Sequence, residues 1–220
     1  MSQEHRISFE YTGRYRVLGT PGEAIEHVWI VCHGHGHLAE FFIKQFNCLD
    51  DGCHLIVAPE GLSKYYLKGF TGRVGATWMT KEDRLNDIDN YLVYLEAVYA
   101  DVIKRLNKNV KVTLFGFSQG AATISRFATQ TGVSFDRLVL WAGIFPPDLP
   151  PIQSVARLQD KPVYWVYGTK DPFLNQGIME EQGKIADQIK VTPEVLSFEG
   201  EHELYDELLI SISQRPYRHQ

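Results

Sequence analysis

The chain contains 220 residues, a length that predicts one domain over residues 1–220. Hydrophobic residues make up 44% and charged residues 22% of the chain, which supplies a full core and excludes the disordered and fibrous classes. Lysine and arginine number 22 against 27 acidic residues, a net charge of −5, so we expect no nucleic-acid partner.

The N-terminal 15 residues are polar and contain no apolar core of a signal peptide. No stretch approaches the roughly 18 apolar residues that a membrane-spanning helix needs. We therefore expect no integral membrane segment and a cytoplasmic location. The three cysteines, Cys32, Cys48 and Cys53, form no Cys-x-x-Cys pattern, which favours free thiols.

The predicted elements begin with two short segments, residues 7–11 and 15–18, separated by Thr-Gly-Arg. This spacing is typical of a hairpin, which we expect at an antiparallel edge of a sheet. Six further apolar runs, rich in β-branched or aromatic residues and closed by glycine or proline, predict buried strands. They are residues 28–32, 55–58, 110–117, 137–142, 163–168 and 194–198.

Helical patterns lie between several of these strands. The clearest has apolar residues three or four apart from Leu85 to Leu106, and further helices are predicted over 118–130, 174–189 and about 203–212. Strands that alternate with helices predict a mostly parallel sheet with helices on both faces, a three-layer α/β fold. The length leaves no room for a large cap domain.

Residues 60–79 break this alternation because they show no clean period and combine four glycines with several aromatic residues. A loop of this length is either functional or disordered, and the aromatic content argues against disorder. We predict that this loop forms one wall of a substrate pocket.

The segment Gly-Phe-Ser-Gln-Gly at 116–120 lies where a predicted strand ends and a predicted helix begins. Gly-x-Ser-x-Gly at such a junction is typical of a nucleophile elbow, since only minimal side chains two residues either side of the serine let strand and helix approach closely. A tight turn without catalysis is the alternative interpretation. We take Ser118 as the candidate nucleophile.

A serine hydroxyl needs a general base, and the base needs an orienting acid, which follow the serine in the order acid, then histidine. Two histidines lie beyond Ser118, namely His219 in the terminal tail and His202 just after a predicted strand. We choose His202. Asp171, directly after the preceding strand, is the predicted acid, and Asp148, one strand earlier, is the alternative.

Acyl transfer also needs N–H donors for the developing oxyanion. We assign one to the backbone N–H of Gln119, directly after the nucleophile. The second is expected in the sequence His-Gly-His-Gly-His that begins at residue 33, because its glycines let the backbone turn N–H groups towards a substrate. We assign this second donor to the N–H of His35.

The same segment permits a metal hypothesis. His33, His35 and His37 alternate, so in a continued strand their imidazoles would share one face and could bind a divalent ion. The intervening glycines and the absence of an aspartate close by in the sequence argue against this arrangement. We therefore expect no metal and no other cofactor.

Six motifs occur in order along the chain. They are His-Gly after an early strand, Ala-Pro-Glu-Gly at 58–61, Trp78 ahead of an acidic stretch, Gly-Phe-Ser-Gln-Gly-Ala at 116–121, Gly-x-x-Asp-Pro at 168–172 and Glu-His-Glu at 201–203. This set resembles the α/β-hydrolase superfamily, and within it the phospholipase/carboxylesterase family that includes acyl-protein thioesterases and bacterial predicted esterases. The resemblance runs from about residue 28 to residue 209.

The resemblance implies the α/β-hydrolase fold and a serine hydrolase of the carboxylesterase or thioesterase type. Such an enzyme works through an acyl-enzyme intermediate and has a small acyl ester or thioester as substrate. The residues implied are Ser118 as nucleophile, Asp171 as acid, His202 as base, His35 and Gln119 as oxyanion N–H donors, and Trp78 in the pocket wall.

Aromatic residues near the predicted site, among them Tyr65, Phe145 and Phe173, suit a short or medium acyl chain. His35 stands where the family loop has an apolar or aromatic residue, which predicts a more polar acyl entrance. A non-catalytic ligand-binding module on the same fold is the alternative function. The helix faces also leave room for a homodimer.

Overall fold

A computed structural model describes residues 2–106 and 109–217. Its strands are β1 (Tyr15–Leu18), β2 (His27–Cys32), β3 (His54–Pro59), β4 (Ser63–Tyr66), β5 (Val74–Thr77), β6 (Lys111–Phe117), β7 (Arg137–Trp141), β8 (Val163–Gly168) and β9 (Glu194–Phe198). Seven of them form one sheet in the order β1-β3-β2-β6-β7-β8-β9, and β4 pairs with β5 in a separate hairpin. β1 is antiparallel to β3, whereas every other pair in the large sheet is parallel.

Helices cover both faces of the large sheet. They are α1 (Ala39–Phe42), continued by a 3₁₀ segment (Ile43–Leu49), then α2 (Arg84–Ile103), α3 (Gln119–Gln130), α4 (Pro151–Leu158), α5 (Gln176–Gln188) and α6 (Asp206–Gln214). Apolar residues of α2 to α5 join one hydrophobic cluster, and those of α1, the 3₁₀ segment and α6 join a second cluster. The predicted three-layer α/β architecture with an antiparallel N-terminal edge is thereby confirmed, and no described segment forms a large cap.

The alternation of side chains along β2 shows why the two clusters lie on opposite faces. Val28 and Ile30 belong to the cluster under α2 and α3, while Trp29 and Val31 belong to the cluster under α1 and α6. All four side chains are at most 1% exposed, because successive residues of a strand point to opposite faces and both faces are covered. Each such side chain contributes about 1.5–3 kcal/mol of burial free energy.

The predicted N-terminal hairpin is wrong in its first half. β1 pairs with β3, with Tyr15 opposite Pro59, and residues 7–11 form no strand. Ile7 and Phe9 are 90% and 78% exposed. β1 needs no partner strand adjacent to it in sequence, because the backbone N–H and C=O groups along the edge of β3 are available to pair with it.

The predicted loop over residues 60–79 contains the hairpin of β4 and β5. Each strand is four residues long, too short for an alternating pattern to be read against a background of glycines. Helix α4 was also not predicted. It begins at Pro151, a residue that the first turn of a helix tolerates since the missing N–H has no helical partner there.

No helix in the described part of the chain combines the length and the hydropathy required to cross a membrane.

Two glycines allow strand β6 and helix α3 to approach each other and the neighbouring strand. A Cβ atom on Gly116 would collide with the carbonyl group of Gly120, and a Cβ atom on Gly120 would collide with the carbonyl oxygens of Cys32 and His33. These neighbours are backbone atoms, which cannot rotate away as a side chain does. The turn at Ser118 therefore requires glycine at both positions.

The replacement Gly120→Ala is expected to lower the free energy of unfolding by about 2–3 kcal/mol, because overpacking against backbone forces β2 and α3 apart. Gly183→Ala is the matched control, since Gly183 lies on the exposed face of α5 and nothing lies within 4 Å of its added Cβ atom. Alanine should stabilise that helix by about 0.5–1 kcal/mol. Urea unfolding monitored by circular dichroism measures both changes, and equal stability of the two variants would contradict the packing argument.

Candidate active site

Ser118 lies in the sharp turn between β6 and α3. Its φ and ψ are 54° and −119°, a region that non-glycine residues rarely occupy and that costs about 1–3 kcal/mol. The turn is held by a hydrogen bond from the Ser118 N–H to the Trp141 carbonyl at 2.8 Å. The backbone of Gly34 packs closely against the other side of the serine, since a Cβ atom added to Gly34 would lie 3.2 Å from Ser118 Cβ. The hydroxyl is thus presented at the carboxyl edge of the sheet by strained but well-supported backbone.

Asp171 and His202 meet at the same edge of the sheet. Asp171 follows β8 and His202 follows the neighbouring strand β9, and their Oδ2 and Nδ1 atoms lie 2.8 Å apart. The Asp171 side chain is fully buried, while the imidazole remains 21% exposed. The second carboxylate oxygen accepts a hydrogen bond from the Phe173 N–H at 2.9 Å. The carboxylate therefore fixes the imidazole through Nδ1, and Nε2 has no hydrogen-bond partner among residues 2–106 and 109–217.

The His202 ring is packed between two phenylalanines. Its centroid lies 4.9 Å from that of Phe117, the residue before Ser118, and 4.8 Å from that of Phe173. The structure thus brings the imidazole next to the serine turn, although Ser118 and His202 form no mutual hydrogen bond within the described ranges. In hydrolases without bound substrate such a bond is often long and tightens on binding. His219, the other histidine after the serine, lies outside the described residues.

Asp148, the alternative acid, is engaged elsewhere. Its Oδ1 accepts hydrogen bonds from Nε and an Nη atom of the buried Arg126 at 3.1 and 2.7 Å, and its Oδ2 pairs with Arg84. Burial on its own would raise the pKa of Asp148, but hydrogen bonding to Arg126 and the charges of the two arginines lower it. This carboxylate neutralises a buried cation and is not part of the Asp171–His202 pair.

The two predicted oxyanion donors are the backbone N–H groups of Gln119 and His35. Gln119 is the first residue of α3, and N–H groups in the first turn of a helix have no partner within it. In the loop after β2, the Gly36 N–H donates to Ala76 at 2.8 Å and the His37 N–H donates to Gly34 at 3.2 Å. The His35 N–H has no acceptor among the described residues, which leaves it available.

The side chains of His33, His35 and His37, the three histidines after β2, each make different contacts. His33 is buried, its Nδ1 faces the Gly34 carbonyl at 2.8 Å and its Nε2 accepts from the Gly61 N–H at 3.0 Å. Burial lowers the pKa of His33 to about 4. His37 stacks on Phe117 with centroids 5.7 Å apart. Because His33 has both nitrogens occupied, this triplet cannot form the three-ligand metal site of the alternative hypothesis.

One group of side chains in the described part of the chain has metal-ligating spacing. Asp51, Cys53 and His54 bring their donor atoms within 4.8 Å of one another, and these are the residues that could hold a metal ion. They lie at the start of β3, the opposite end of the sheet from Ser118. The Asp51 carboxylate also accepts from the N–H groups of Cys53 and His54 at 3.0 Å, so the cluster forms a hydrogen-bonded turn as it stands.

The four predicted pocket residues fall into two pairs. Phe173 contacts His202 and is 64% exposed, and the Tyr65 hydroxyl lies 2.6 Å from Nε2 of His35. Trp78 and Phe145 are instead 1% and 3% exposed and belong to the core. Trp78 donates its indole N–H to the His33 carbonyl at 2.9 Å. Phe173 and Tyr65 thus lie at the surface, in contact with His202 and His35, whereas Trp78 and Phe145 are buried in the core.

Sequence reasoning missed the side chains of Thr77 and Gln119. The Gln119 Oε1 atom accepts from Thr77 Oγ1 at 3.0 Å and from the Trp78 N–H at 3.2 Å, and its Nε2 donates to the Met79 carbonyl at 2.9 Å. The amide thereby fixes the end of β5 to the start of α3. Threonine is an ordinary strand residue, so no pattern distinguishes this hydroxyl.

A cavity of about 840 Å³ lies away from this site. It lies open to solvent between the N-terminal segment and α2, with Phe9, Tyr11, Trp78 and Tyr94 among its lining residues. None of Ser118, Asp171 and His202 lines it.

Comparison with known proteins agrees with this architecture. Solved structures similar to the chain include the esterase PE8 (TM-score 0.69, 19% identity, 92% of this chain and 97% of the other covered) and Zea mays acyl-protein thioesterase 2 (0.63, 17%, 91% and 96%). A Bacillus cereus carboxylesterase matches similarly (0.65, 14%, 92% and 92%). No curated protein sequence matches significantly. The phospholipase/carboxylesterase family model matches residues 15–215, and the chain therefore belongs to the phospholipase/carboxylesterase family of α/β-hydrolases.

Proposed function

We propose that the protein is a serine hydrolase that cleaves carboxylic esters or thioesters through an acyl-enzyme on Ser118. The observation that carries the proposal is the 2.8 Å pairing of the buried Asp171 carboxylate with His202 Nδ1, at the edge of the sheet where Ser118 occupies a strained turn. Family membership supports hydrolase chemistry. The substrate is proposed here from the site alone, because a fold hosts many activities.

In the first half of the reaction, His202 Nε2 accepts the proton of the Ser118 hydroxyl as the serine oxygen attacks the acyl carbon. The negative charge that develops on the carbonyl oxygen is held by the N–H groups of His35 and Gln119. His202 then gives its proton to the departing alcohol or thiol. Asp171 holds the imidazole with Nδ1 protonated and stabilises the imidazolium.

In the second half, water takes the place of the leaving group. His202 removes a proton from this water, which attacks the acyl-enzyme, and the same oxyanion donors stabilise the second tetrahedral intermediate. The collapse of this intermediate returns the proton to Ser118 and releases the carboxylic acid. No step in this scheme calls for a metal ion or an organic cofactor.

The surroundings of Ser118 favour a short or medium acyl chain. Phe173 provides an exposed apolar surface beside His202, while His35 and Tyr65 add polar groups on the side of the oxyanion donors. We propose that the acyl chain lies along Phe173 and that the polar side accommodates the leaving group. A single domain, a cytoplasmic location and a homodimer stay predictions.

Replacement of the nucleophile or the base should abolish turnover. Wild-type protein is expected to react with a fluorophosphonate probe, and Ser118→Ala is expected not to react. His202→Ala should lower kcat for p-nitrophenyl butyrate by about 10⁴-fold, since the serine loses its only base. Labelling of Ser118→Ala at the wild-type rate, or a loss below tenfold for His202→Ala, would reject the assignment and favour a non-catalytic binding module.

The two candidate acids are distinguished by a matched pair of variants. Asp171→Asn should lower kcat by about 10³- to 10⁴-fold with little loss of stability, because the amide favours the wrong imidazole tautomer. Asp148→Asn should keep kcat within about threefold but lower the free energy of unfolding by about 2–3 kcal/mol, since it leaves Arg126 buried without its partner. The opposite pattern in kinetics and urea unfolding would make Asp148 the acid.

Chelation tests the metal alternative. Overnight dialysis against EDTA should leave the turnover of p-nitrophenyl butyrate unchanged, since both nitrogens of His33 are already hydrogen-bonded within the protein. Buffer treated with chelating resin serves as the control. A loss of activity that added Zn²⁺ restores would refute the serine mechanism as written.

A further inference from the structure

Polar side chains form a continuous chain between the hairpin of β4 and β5 and the oxyanion donors. The Tyr65 hydroxyl lies 2.6 Å from His35 Nε2, and His35 Nδ1 lies 3.2 Å from Thr77 Oγ1. Thr77 Oγ1 in turn lies 3.0 Å from Oε1 of Gln119. The two residues that would supply the oxyanion N–H groups are thus joined through a single threonine hydroxyl.

Thr77 Oγ1 is the centre of this network. Its one proton has two acceptors within reach, Gln119 Oε1 at 3.0 Å and the Met79 carbonyl at 2.9 Å, and the Met79 carbonyl also accepts from Gln119 Nε2. With Nδ1 protonated, His35 donates to Thr77 Oγ1, and its Nε2 accepts from the Tyr65 hydroxyl. Hydrogen bonds that share partners in this way polarise one another and hold His35 and Gln119 at a fixed separation.

The position of His35 explains why such an anchor is needed. It lies between Gly34 and Gly36, and the φ of Gly36 is 78°, so the backbone on either side has wide conformational freedom. An N–H donor stabilises an oxyanion effectively only when it lies about 2.7–3.1 Å from it. Backbone hydrogen bonds hold Gly36 and His37, and the His35 imidazole adds the one side-chain anchor between the two glycines.

The middle of the chain is enclosed by protein. Thr77 is 2% exposed, and the backbone around it is fixed to the loop after β2 (residues 33–37) by hydrogen bonds from Gly36 N–H to the Ala76 carbonyl and from Ala76 N–H to the His37 carbonyl. Loss of the hydroxyl would remove the one atom that joins the exposed His35 imidazole to the half-buried Gln119 amide, and Gln119 Oε1 would keep only the Trp78 N–H at 3.2 Å. Those two side chains would then shift.

We propose that Tyr65 and Thr77 are positioning residues that set the distance between the two oxyanion N–H groups by holding His35 and Gln119 together. This proposal rests on the serine-hydrolase function proposed above. Neither residue touches the reacting atoms. The two residues act on the stability of the transition state, so their replacement should lower kcat and leave KM nearly unchanged.

The central experiment compares Thr77→Val, which has nearly the same shape without the hydroxyl, with Thr77→Ser, which keeps it. With p-nitrophenyl butyrate as substrate, Thr77→Val should lower kcat by about 10- to 100-fold at a nearly constant KM, the loss expected for a displaced donor. Thr77→Ser should stay within about threefold of wild type. The rate of fluorophosphonate labelling should fall in the same proportion, because phosphonylation also develops a charged oxygen in the oxyanion hole.

A double-mutant cycle tests the continuity of the chain. Tyr65→Phe should lower kcat by about 5- to 20-fold in wild type but by less than about twofold in the Thr77→Val background, because its link to Gln119 is already broken. Tyr66→Phe, on the opposite face of the same strand, is the matched control and should have no effect. Thermal unfolding of every variant shows whether it is folded. If Thr77→Val does not fold, the comparison of Tyr65→Phe with Tyr66→Phe still tests the proposal.

Three results would overturn the proposal: a kcat within twofold of wild type for Thr77→Val, equal losses for Thr77→Val and Thr77→Ser, or additive effects of Tyr65→Phe and Thr77→Val. A failure of the proposed function itself would give a different result. Wild-type protein would then neither hydrolyse the ester nor react with the probe, and the positioning role would be rejected together with the function.

Discussion

The backbone of Ser118 is the constraint on which the rest of the site depends. A side chain at φ 54° and ψ −119° is unfavourable, and it persists only where its surroundings leave no alternative. Here the surroundings are the glycines at 116 and 120, which bring α3 against the end of β6, and the hydrogen bond from Ser118 N–H to Trp141. The same turn places Ser118 directly before Gln119, the first residue of α3, whose N–H has no partner within the helix.

The topology explains how residues far apart along the chain become neighbours. β6, β7, β8 and β9 are adjacent and parallel, so the loops that follow them all emerge at one edge. Neighbouring strands lie about 4.8 Å apart, which places the ends of β8 and β9 within side-chain reach. Asp171 and His202 consequently meet directly, and the loop after β9 brings the imidazole back over Phe117 to the serine.

Much of this arrangement could be predicted from the sequence, because β6 and β8 are almost entirely buried and appear as plain apolar runs. Ser118 follows the first run and Asp171 the second, whereas His202 follows β9, an edge strand that is largely exposed. The hairpin of β4 and β5 could not be predicted, since its strands are short and it is fixed by hydrogen bonds to the loop after β2 (residues 33–37). Asp171 and Asp148 look alike in sequence, and only the position of Arg126 in three dimensions separates them.

The loop that carries His202 is held differently from the turn that carries Ser118. Backbone hydrogen bonds from Thr169 to Phe198 and from Lys170 to Gly200, together with one from the Trp141 indole to the Glu203 carbonyl, attach it to the sheet. Glu201 itself is exposed. Such a segment opens at a lower free energy than the strands beneath it. Warming that opens this loop before the sheet unfolds would therefore move His202 away from Phe117 and the turn at Ser118 while the strands stay paired, and cooling would bring the imidazole back.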